Sequence, residues 1–433
     1  MNQNKKSKKG CLISFLAVLG VVVIFGVSCV LAYSVHSQTQ EEYGAYGQWS
    51  ESDVFDIEDY PYITIEGDTV KIMQLADPQI KFGSFTQDTK TMTLIENALN
   101  IEQPDIVVCT GDLTLSIDTY NAYKYFADFM EQRGQYWTLA YGNHDAEFDC
   151  SKYTLWKLLS GYEYCLFDCG PTNISGESNF VINVKRGDEY VYSLIMLDSN
   201  MYETVEVNGE TKEDYSWIKP DQVAWYNWVV DGLKSVNPLI RSSAFWHIPT
   251  IEFAKLYYAI DTDRAVLDGI DMSQIGVVSD VSGYIFENDK SGNDVLDDGY
   301  TLGVYYGAEN IGENKPSGSE SDIFAAIKDG GITEAIFCGH DHVNTLRGFY
   351  DGIYLCYGRA SGYHTYPFFQ TENWFTKLIG QNDDIMWNES LRVDEYGKIM
   401  TRGVSIIEVD FDEGGFTITD HDATYYELLN RDF

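Results

Sequence analysis

Aspartate, glutamine, asparagine and histidine gather at five places in this chain where an apolar run has just ended. The clearest is Glu334-Ala-Ile-Phe-Cys-Gly-His-Asp-His-Val343. Its apolar residues suit a buried strand, Gly339 lets the chain turn, and His340 and His342 follow at i and i+2. In extended chain that spacing aims both imidazoles the same way. Asp77 and Gln79 come just after the run 70–76, and Asp112 ends Asp105-Ile-Val-Val-Cys-Thr-Gly-Asp112. Asn143, His144 and Asp145 end Thr138-Leu-Ala-Tyr-Gly-Asn-His-Asp145, and His247 ends Ala244-Phe-Trp-His247. The donors are oxygens and neutral nitrogens with no thiolate, which suits divalent Mn, Fe or Zn rather than a structural zinc. Seven of them (Asp77, Gln79, Asp112, Asn143, His247, His340 and His342) exceed the needs of one ion. Two ions sharing a carboxylate would use them all. Two cations roughly 3.5–4 Å apart can hold a bridging hydroxide and clamp a phosphoryl oxygen for in-line displacement, with no protein nucleophile.

Such a cluster has to be carried by strand ends, and the surrounding pattern supplies them. From residue 70 the chain reads strand 70–76, helix 88–100, strand 106–110, helix 119–132, strand 136–140. That β-α-β-α-β order implies parallel strands joined by right-handed crossovers. Ligands bind such sheets outside the carboxyl ends of the strands, where Asp77, Asp112 and Asn143 fall. A strand at 190–197, a helix at 220–234 carrying Trp225 and Trp228, and a helix at 321–328 follow. Trp225 and Trp228 stand at helical spacing and read as core residues. Residues 251–319 are rich in Gly and Asp and read as an insertion or long loops. Strands near 344–349, 353–357, 404–410 and 416–419 suggest a second sheet.

The two ends of the chain differ in character. Lys5, Lys6, Lys8 and Lys9 precede an uncharged apolar run at 12–33, long enough to span a bilayer core of roughly 30 Å as a helix. Lysines before it and Glu41 and Glu42 after it favour an orientation with the bulk of the protein outside. The expected organisation is therefore a basic cytoplasmic segment at 1–11, a transmembrane anchor or signal at 12–33, a juxtamembrane stalk at 34–68 and one domain at 69–433. The expected location is the cell membrane, single-pass, with the domain extracellular. Cleavage or lipidation of the segment would instead give a secreted or lipid-anchored protein. The chain holds 67 acidic residues against 29 basic ones, so nucleic acid is not an expected partner. Cys150, Cys165 and Cys169 cluster in loop-like sequence, and one pair could be bridged outside the cell.

In order, D-x-Q, G-D, G-N-H-D, a distal His followed by x-Pro, and G-H-x-H resemble the calcineurin-like metallophosphoesterases, over residues 70–367. The resemblance implies a four-layer α/β/β/α sandwich of two mixed sheets flanked by helices. It further implies that Asp77, Gln79 and His342 bind a first metal ion, that Asn143, His247 and His340 bind a second, and that Asp112 bridges. His144 would stabilise developing charge or protonate the leaving oxygen, with Asp145 orienting it. Arg359-Ala-Ser-Gly-Tyr363 is similar to a stretch of the single-domain members related to purple acid phosphatases, and places Arg359, Tyr363 and His364 as contacts to substrate. Two departures stand out. Gln79 occupies a place where many members have His, and Leu113-Thr-Leu115 lacks the tyrosine that purple acid phosphatases carry three residues after the aspartate, which argues against a purple diferric centre. The implied activity is hydrolysis of a small phosphomonoester or diester by the bridging hydroxide. The alternatives are a non-catalytic metal- or ligand-binding protein of the cell surface on the same fold, or a phosphodiesterase of lipid or cell-wall phosphates.

Overall fold

A computed structural model describes residues 19–24, 26–27, 47–81, 86–207, 210–260, 281–286, 321–342, 346–364, 402–412, 414–423 and 425–426. Its strands, in chain order, are β1 (Tyr62–Ile65), β2 (Thr69–Leu75), β3 (Ile106–Thr110), β4 (Trp137–Ala140), β5 (Phe180–Arg186), β6 (Glu189–Met196), β7 (Tyr202–Val207) and β8 (Glu210–Tyr215). Then come β9 (Arg241–Phe245), β10 (Val281–Phe286), β11 (Thr333–Cys338), β12 (Leu346–Tyr350), β13 (Ile353–Tyr357), β14 (Gly403–Asp410) and β15 (Phe416–Asp422). Among the described residues they form a five-stranded sheet, β15-β14-β2-β3-β4, and an eight-stranded sheet, β1-β5-β6-β9-β11-β13-β12-β10, with β7 and β8 paired apart. Strands β2, β3 and β4 are parallel to one another, as the alternating pattern requires. In the larger sheet β6, β9, β11 and β13 are parallel as well. Both sheets are mixed, because β14 runs antiparallel to β2 and β5 antiparallel to β6.

Alternation along the strands sets the layers. In β11, Ala335 and Phe337 face a core shared with Ile72, Val107 and Leu139 of the smaller sheet, so the two sheets pack face to face. Ile336 and Cys338 point the other way, into a second core with Trp225, Val229, Phe253, Phe324 and Ile327. Helices Pro220–Val236, Ile251–Ile260 and Asp322–Gly330 thus cover the outer face of the large sheet. Helices Thr86–Glu102 and Thr119–Arg133 share the first core with the small sheet through Met92, Ile95, Phe126 and Met130. The architecture is a mixed α/β sandwich of two large sheets.

The sheets meet where ligand-type residues leave them. Ala76, just past β2, pairs in parallel with Ala360, just past β13, and Ser361 donates its N–H to the Ala76 carbonyl at 2.8 Å. Gln74 Nε2 reaches the Cys338 carbonyl at 3.1 Å, tying β2 to the end of β11. The ends of the parallel strands of both sheets are thereby drawn to one edge.

Three expectations change. The strands near 344–349, 353–357, 404–410 and 416–419 do not make one second sheet: β12 and β13 join the large sheet, and β14 and β15 extend β2-β3-β4. Part of the stalk is built into the domain: β1 pairs in parallel with β5, burying Ile63 and Ile65, and Phe55 packs on Trp228 with ring centroids 5.3 Å apart. Four residues with two buried apolar positions are too short a pattern to stand out among acidic neighbours. The hairpin β7–β8 was not expected at all. The apolar run at 12–33 lies mostly outside the described residues; 19–24 and 26–27 are helical, and among the described residues no helix is long and apolar enough to cross a membrane. Most of 251–319 also lies outside the described residues. Cys150 and Cys165 are free thiols in the structure.

Candidate metal centre

All seven ligand-type side chains come together at that edge, and each is buried. Asp77, Asp112 and His342 offer donor atoms within 4.8 Å of one another. His342 Nε2 lies 3.1 Å from Asp77 Oδ1 and 3.1 Å from Gln79 Nε2. On the other side, His247 Nε2 lies 3.0 Å from Asn143 Oδ1, 3.3 Å from Asp112 Oδ1 and 3.3 Å from His340 Nδ1. Asp112 joins the halves, for its second oxygen lies 3.2 Å from Gln79 Nε2.

Backbone shape explains how short motifs aim these groups inward. Among the described residues, seven non-glycine residues have a left-handed φ, and four of them are Asp77 (52°), Gln79 (47°), Asp112 (51°) and His340 (83°). That region disfavours side chains other than Gly, Asn and Asp, and such strain gathers at functional sites. At Asp77, Asp112 and His340 it turns the chain two residues past the ends of β2, β3 and β11. Gly111 permits the approach of His247: at φ 87°, a Cβ there would stand 2.4 Å from His247 Nδ1. A Cβ on Gly142 would stand 2.1 Å from Asp112 Oδ1. The glycines of the two motifs are therefore required by packing against the ligand-type side chains themselves.

The donor chemistry fits a cation. His247 Nδ1 is 2.8 Å from the Thr110 carbonyl, which can only accept, so Nδ1 carries the proton and Nε2 presents its lone pair. That lone pair faces two oxygens that also accept, Asn143 Oδ1 and Asp112 Oδ1. Acceptors crowded so closely in a buried place need either a proton or a metal ion among them. Without a metal the proton wins: burial opposes charge on His247, but Asp112 outweighs it and pushes the imidazole up to about 9. Burial likewise works against charge on Asp112, yet His247 and His144 hold it well below the usual carboxylate range. His340 is driven well down by burial and by His247, which leaves it a neutral donor. Gln79 Oε1 is buried with no hydrogen-bond partner. Turning the amide over exchanges the oxygen and nitrogen without changing its shape, and presents a hard donor to the site.

His144 stands at the mouth, its side chain 29% exposed, with Nε2 3.8 Å from Asp112 Oδ2 and Nδ1 2.8 Å from Glu147 Oε2. Burial lowers it, but Asp112 and Glu147 push it up to about 9, so it is protonated at neutral pH. Asp145, expected to orient His144, meets backbone groups in the structure. Its carboxylate accepts the backbone N–H groups of Gly142, Asp112 and Thr114 at 2.8, 2.9 and 3.2 Å, fastening two motif loops together. Burial and Asp112 push Asp145 up to about 6. Glu147 pairs with His144 instead, and a side chain three residues on from a histidine gave no signal to sequence reading.

The segment expected to touch substrate sits differently. Arg359 is 2% exposed, packed against Gly403 with its N–H on Ser405 Oγ. Tyr363 lies under Lys90 Nζ, 5.7 Å from the ring centre, and donates its N–H to Thr91 Oγ1. His364 Nε2 is 2.7 Å from Asp88 Oδ1, a buried carboxylate on helix Thr86–Glu102. Two residues that sequence reading passed over come nearer: Tyr202 Oη accepts from Asn143 Nδ2 at 2.8 Å, and the Tyr215 ring stands edge-on to His340, centroids 4.5 Å apart.

Comparison with known proteins agrees with this geometry. The profile described as calcineurin-like phosphoesterase matches residues 70–271. The protein named probable inactive purple acid phosphatase 28 from Arabidopsis thaliana is 24% identical over 335 residues, 69% of this chain and 72% of that one. Phosphatase DCR2 of Saccharomyces cerevisiae is 29% identical over 213 residues, 43% of this chain and 36% of that protein. A crystal structure of a dimetal phosphatase from Danio rerio overlaps 67% of this chain and 88% of its own at 11% identity, with a TM-score of 0.37, too loose a fit to carry any argument. The matched profile runs across the motifs from Asp77 to His247, so residues 70–271 are similar to the calcineurin-like phosphoesterases.

Proposed function

We propose that this protein is a metal-dependent phosphoesterase that hydrolyses a small phosphate monoester or diester, with monoesters the slightly better fit. The observation that carries the reading is the placing of the two Asp112 oxygens. Oδ1 faces the Asn143, His247 and His340 group, and Oδ2 faces the Gln79 side that also holds Asp77 and His342. One carboxylate shared between two donor sets is what a pair of ions needs. Two divalent ions of the Mn, Fe or Zn type would supply Lewis-acid polarisation of the phosphoryl group and an acidified water for attack. The chain's own groups supply the rest. His144, reaching out at the mouth beside Glu147, stabilises negative charge on the phosphoryl oxygens or gives a proton to the leaving oxygen. Asp145 keeps the Asp112 and Asn143 loops in register.

The family has relatives named as probably inactive, so a binder that keeps the fold without turnover is a distinct reading. The presence here of all seven ligand-type side chains, with His144, supports the enzyme. The apolar run at 12–33, read as an anchor or signal behind four lysines, supports placing the domain outside the cell, at the membrane if the run is kept, within reach of lipid or cell-wall phosphates. The test is turnover of p-nitrophenyl phosphate and of bis-p-nitrophenyl phosphate by purified protein loaded with Mn, Fe or Zn. Hydrolysis of either ester with at least one metal is expected. Tight metal binding with no turnover of either would favour the binder.

A further inference from the structure

The hairpin β7–β8 stands apart from both large sheets, yet its two end tyrosines reach the metal centre. Tyr202 Oη accepts a hydrogen bond from Asn143 Nδ2 at 2.8 Å and donates one to Glu147 Oε1 at 3.1 Å. The other Glu147 oxygen lies 2.8 Å from His144 Nδ1. Asn143 and His144 are neighbours in sequence, so the four side chains close a ring through one peptide bond. The ring has a chemical sense. An amide offers a cation donor at only one end, and fixing the NH2 end on a phenol oxygen leaves Asn143 Oδ1 turned to His247 Nε2, 3.0 Å away. A phenol can accept from the amide and donate to the carboxylate at the same time. Phenylalanine can do neither.

We propose that Tyr202 is a positioning residue that fixes both functional neighbours at once, the Asn143 oxygen directly and the His144 imidazole through Glu147. It thereby couples the hold on the second ion to the aim of the proton donor. The kinetic half of this rests on the hydrolase reading above; the metal-affinity half rests on the ring alone. Groups that orient metal ligands commonly change metal affinity or activity about 10–100-fold when removed.

The test uses the full chain, stripped of metal and titrated with Zn or Mn by calorimetry, then assayed on p-nitrophenyl phosphate and on a simple alkyl phosphate. Tyr202→Phe is expected to bind one of two ions about tenfold more weakly. Its kcat on the alkyl ester should fall further than on the nitrophenyl ester, with KM unchanged, because only the alkoxide needs a proton on leaving. Glu147→Gln keeps an acceptor for Tyr202 and leaves the hairpin's own residues unchanged, so it should keep metal affinity and lose mainly alkyl-ester turnover. It carries the kinetic arm even if Tyr202→Phe folds badly. Wild-type affinity and wild-type rates on both esters in Tyr202→Phe, beside an active parent, would overturn the positioning role and leave the hydrolase reading standing. An inactive parent whose Tyr202→Phe variant still loses the affinity of one ion would uphold the ring and sink the hydrolase reading.

Discussion

Two segments of this chain carry motif-like polar residues just past a strand, and the fold treats them in opposite ways. In the cradle, Asp77, Asp112, His247 and His340 leave parallel strands and turn their donor atoms toward one another, acceptor against acceptor. In the segment Arg359–His364, which follows β13 at the same edge, the polar groups turn back into the protein. His364 meets Asp88, Tyr363 meets Lys90 and Thr91, and Arg359 lies against Gly403. The difference teaches how a ligand site and a clamp are told apart. A clamp such as His364 on Asp88 sets a donor against an acceptor, whereas the cradle sets acceptor against acceptor and is completed by added positive charge.

The sharpest way to break the comparison is to disturb the cradle without changing its shape. Asp112→Asn keeps the volume and removes the shared charge; kcat/KM on the better nitrophenyl ester should fall at least about 10³-fold, the equivalent of several kcal/mol of lost metal-ion stabilisation, while the circular dichroism spectrum is retained. His144→Ala should lose about 10²-fold in turnover, more on poor leaving groups than on good ones, with metal content unchanged. If it keeps wild-type turnover on an alkyl phosphate, the proton-donor assignment is wrong. His364→Ala tests the clamp: the buried Asp88 loses a partner, so unfolding in urea should show about 1–3 kcal/mol less stability, while kcat/KM changes little. A large kinetic loss with unchanged stability would move His364 into the site and dissolve the contrast.

The smallest expected effect concerns pH. In the metal-free protein His144 and His247 are held up to about 9 against an ordinary value of 6.5. A group whose folded value is raised lends its stability fully below the unfolded value and loses it as pH climbs through the folded one. The melting temperature of metal-free protein should therefore drop by a few degrees between pH 7 and pH 9.5. Loading with metal, which takes the place of the His247 proton, should reduce that dependence. A flat profile in the metal-free protein would mean that Asp112 and its histidines do not feel one another as described.

Sequence made the cradle legible because its parts are local. Each motif is an apolar run that ends in a donor, three of them with a glycine between (Gly111, Gly142 and Gly339), and burial of the run fixes where the donor goes. The β2-β3-β4 order was legible for the same reason. What remained hidden depends on long-range pairing. The short strand β1 joins the sheet at β5, more than 110 residues away. Glu147 looked like one more acid in an acidic chain. Asp145 looked like the partner of its neighbour His144, whereas three backbone N–H groups claim it. The hairpin had a usable signal in Asn208-Gly209 set between Thr204-Val-Glu-Val207 and Glu210-Thr-Lys-Glu213, alternating runs around a favoured turn pair. Reading it would have brought Tyr202 and Tyr215 into view as a pair, though not their reach to Asn143 and His340.

The claim on which the rest depends is that one carboxylate is shared between two donor sets. Elemental analysis of purified protein equilibrated with Zn or Mn and freed of excess tests it most directly. Close to two ions per chain are expected for the parent, and no more than one for Asp112→Asn. A parent that retains no metal, or an Asp112→Asn protein that still retains two ions, would contradict it.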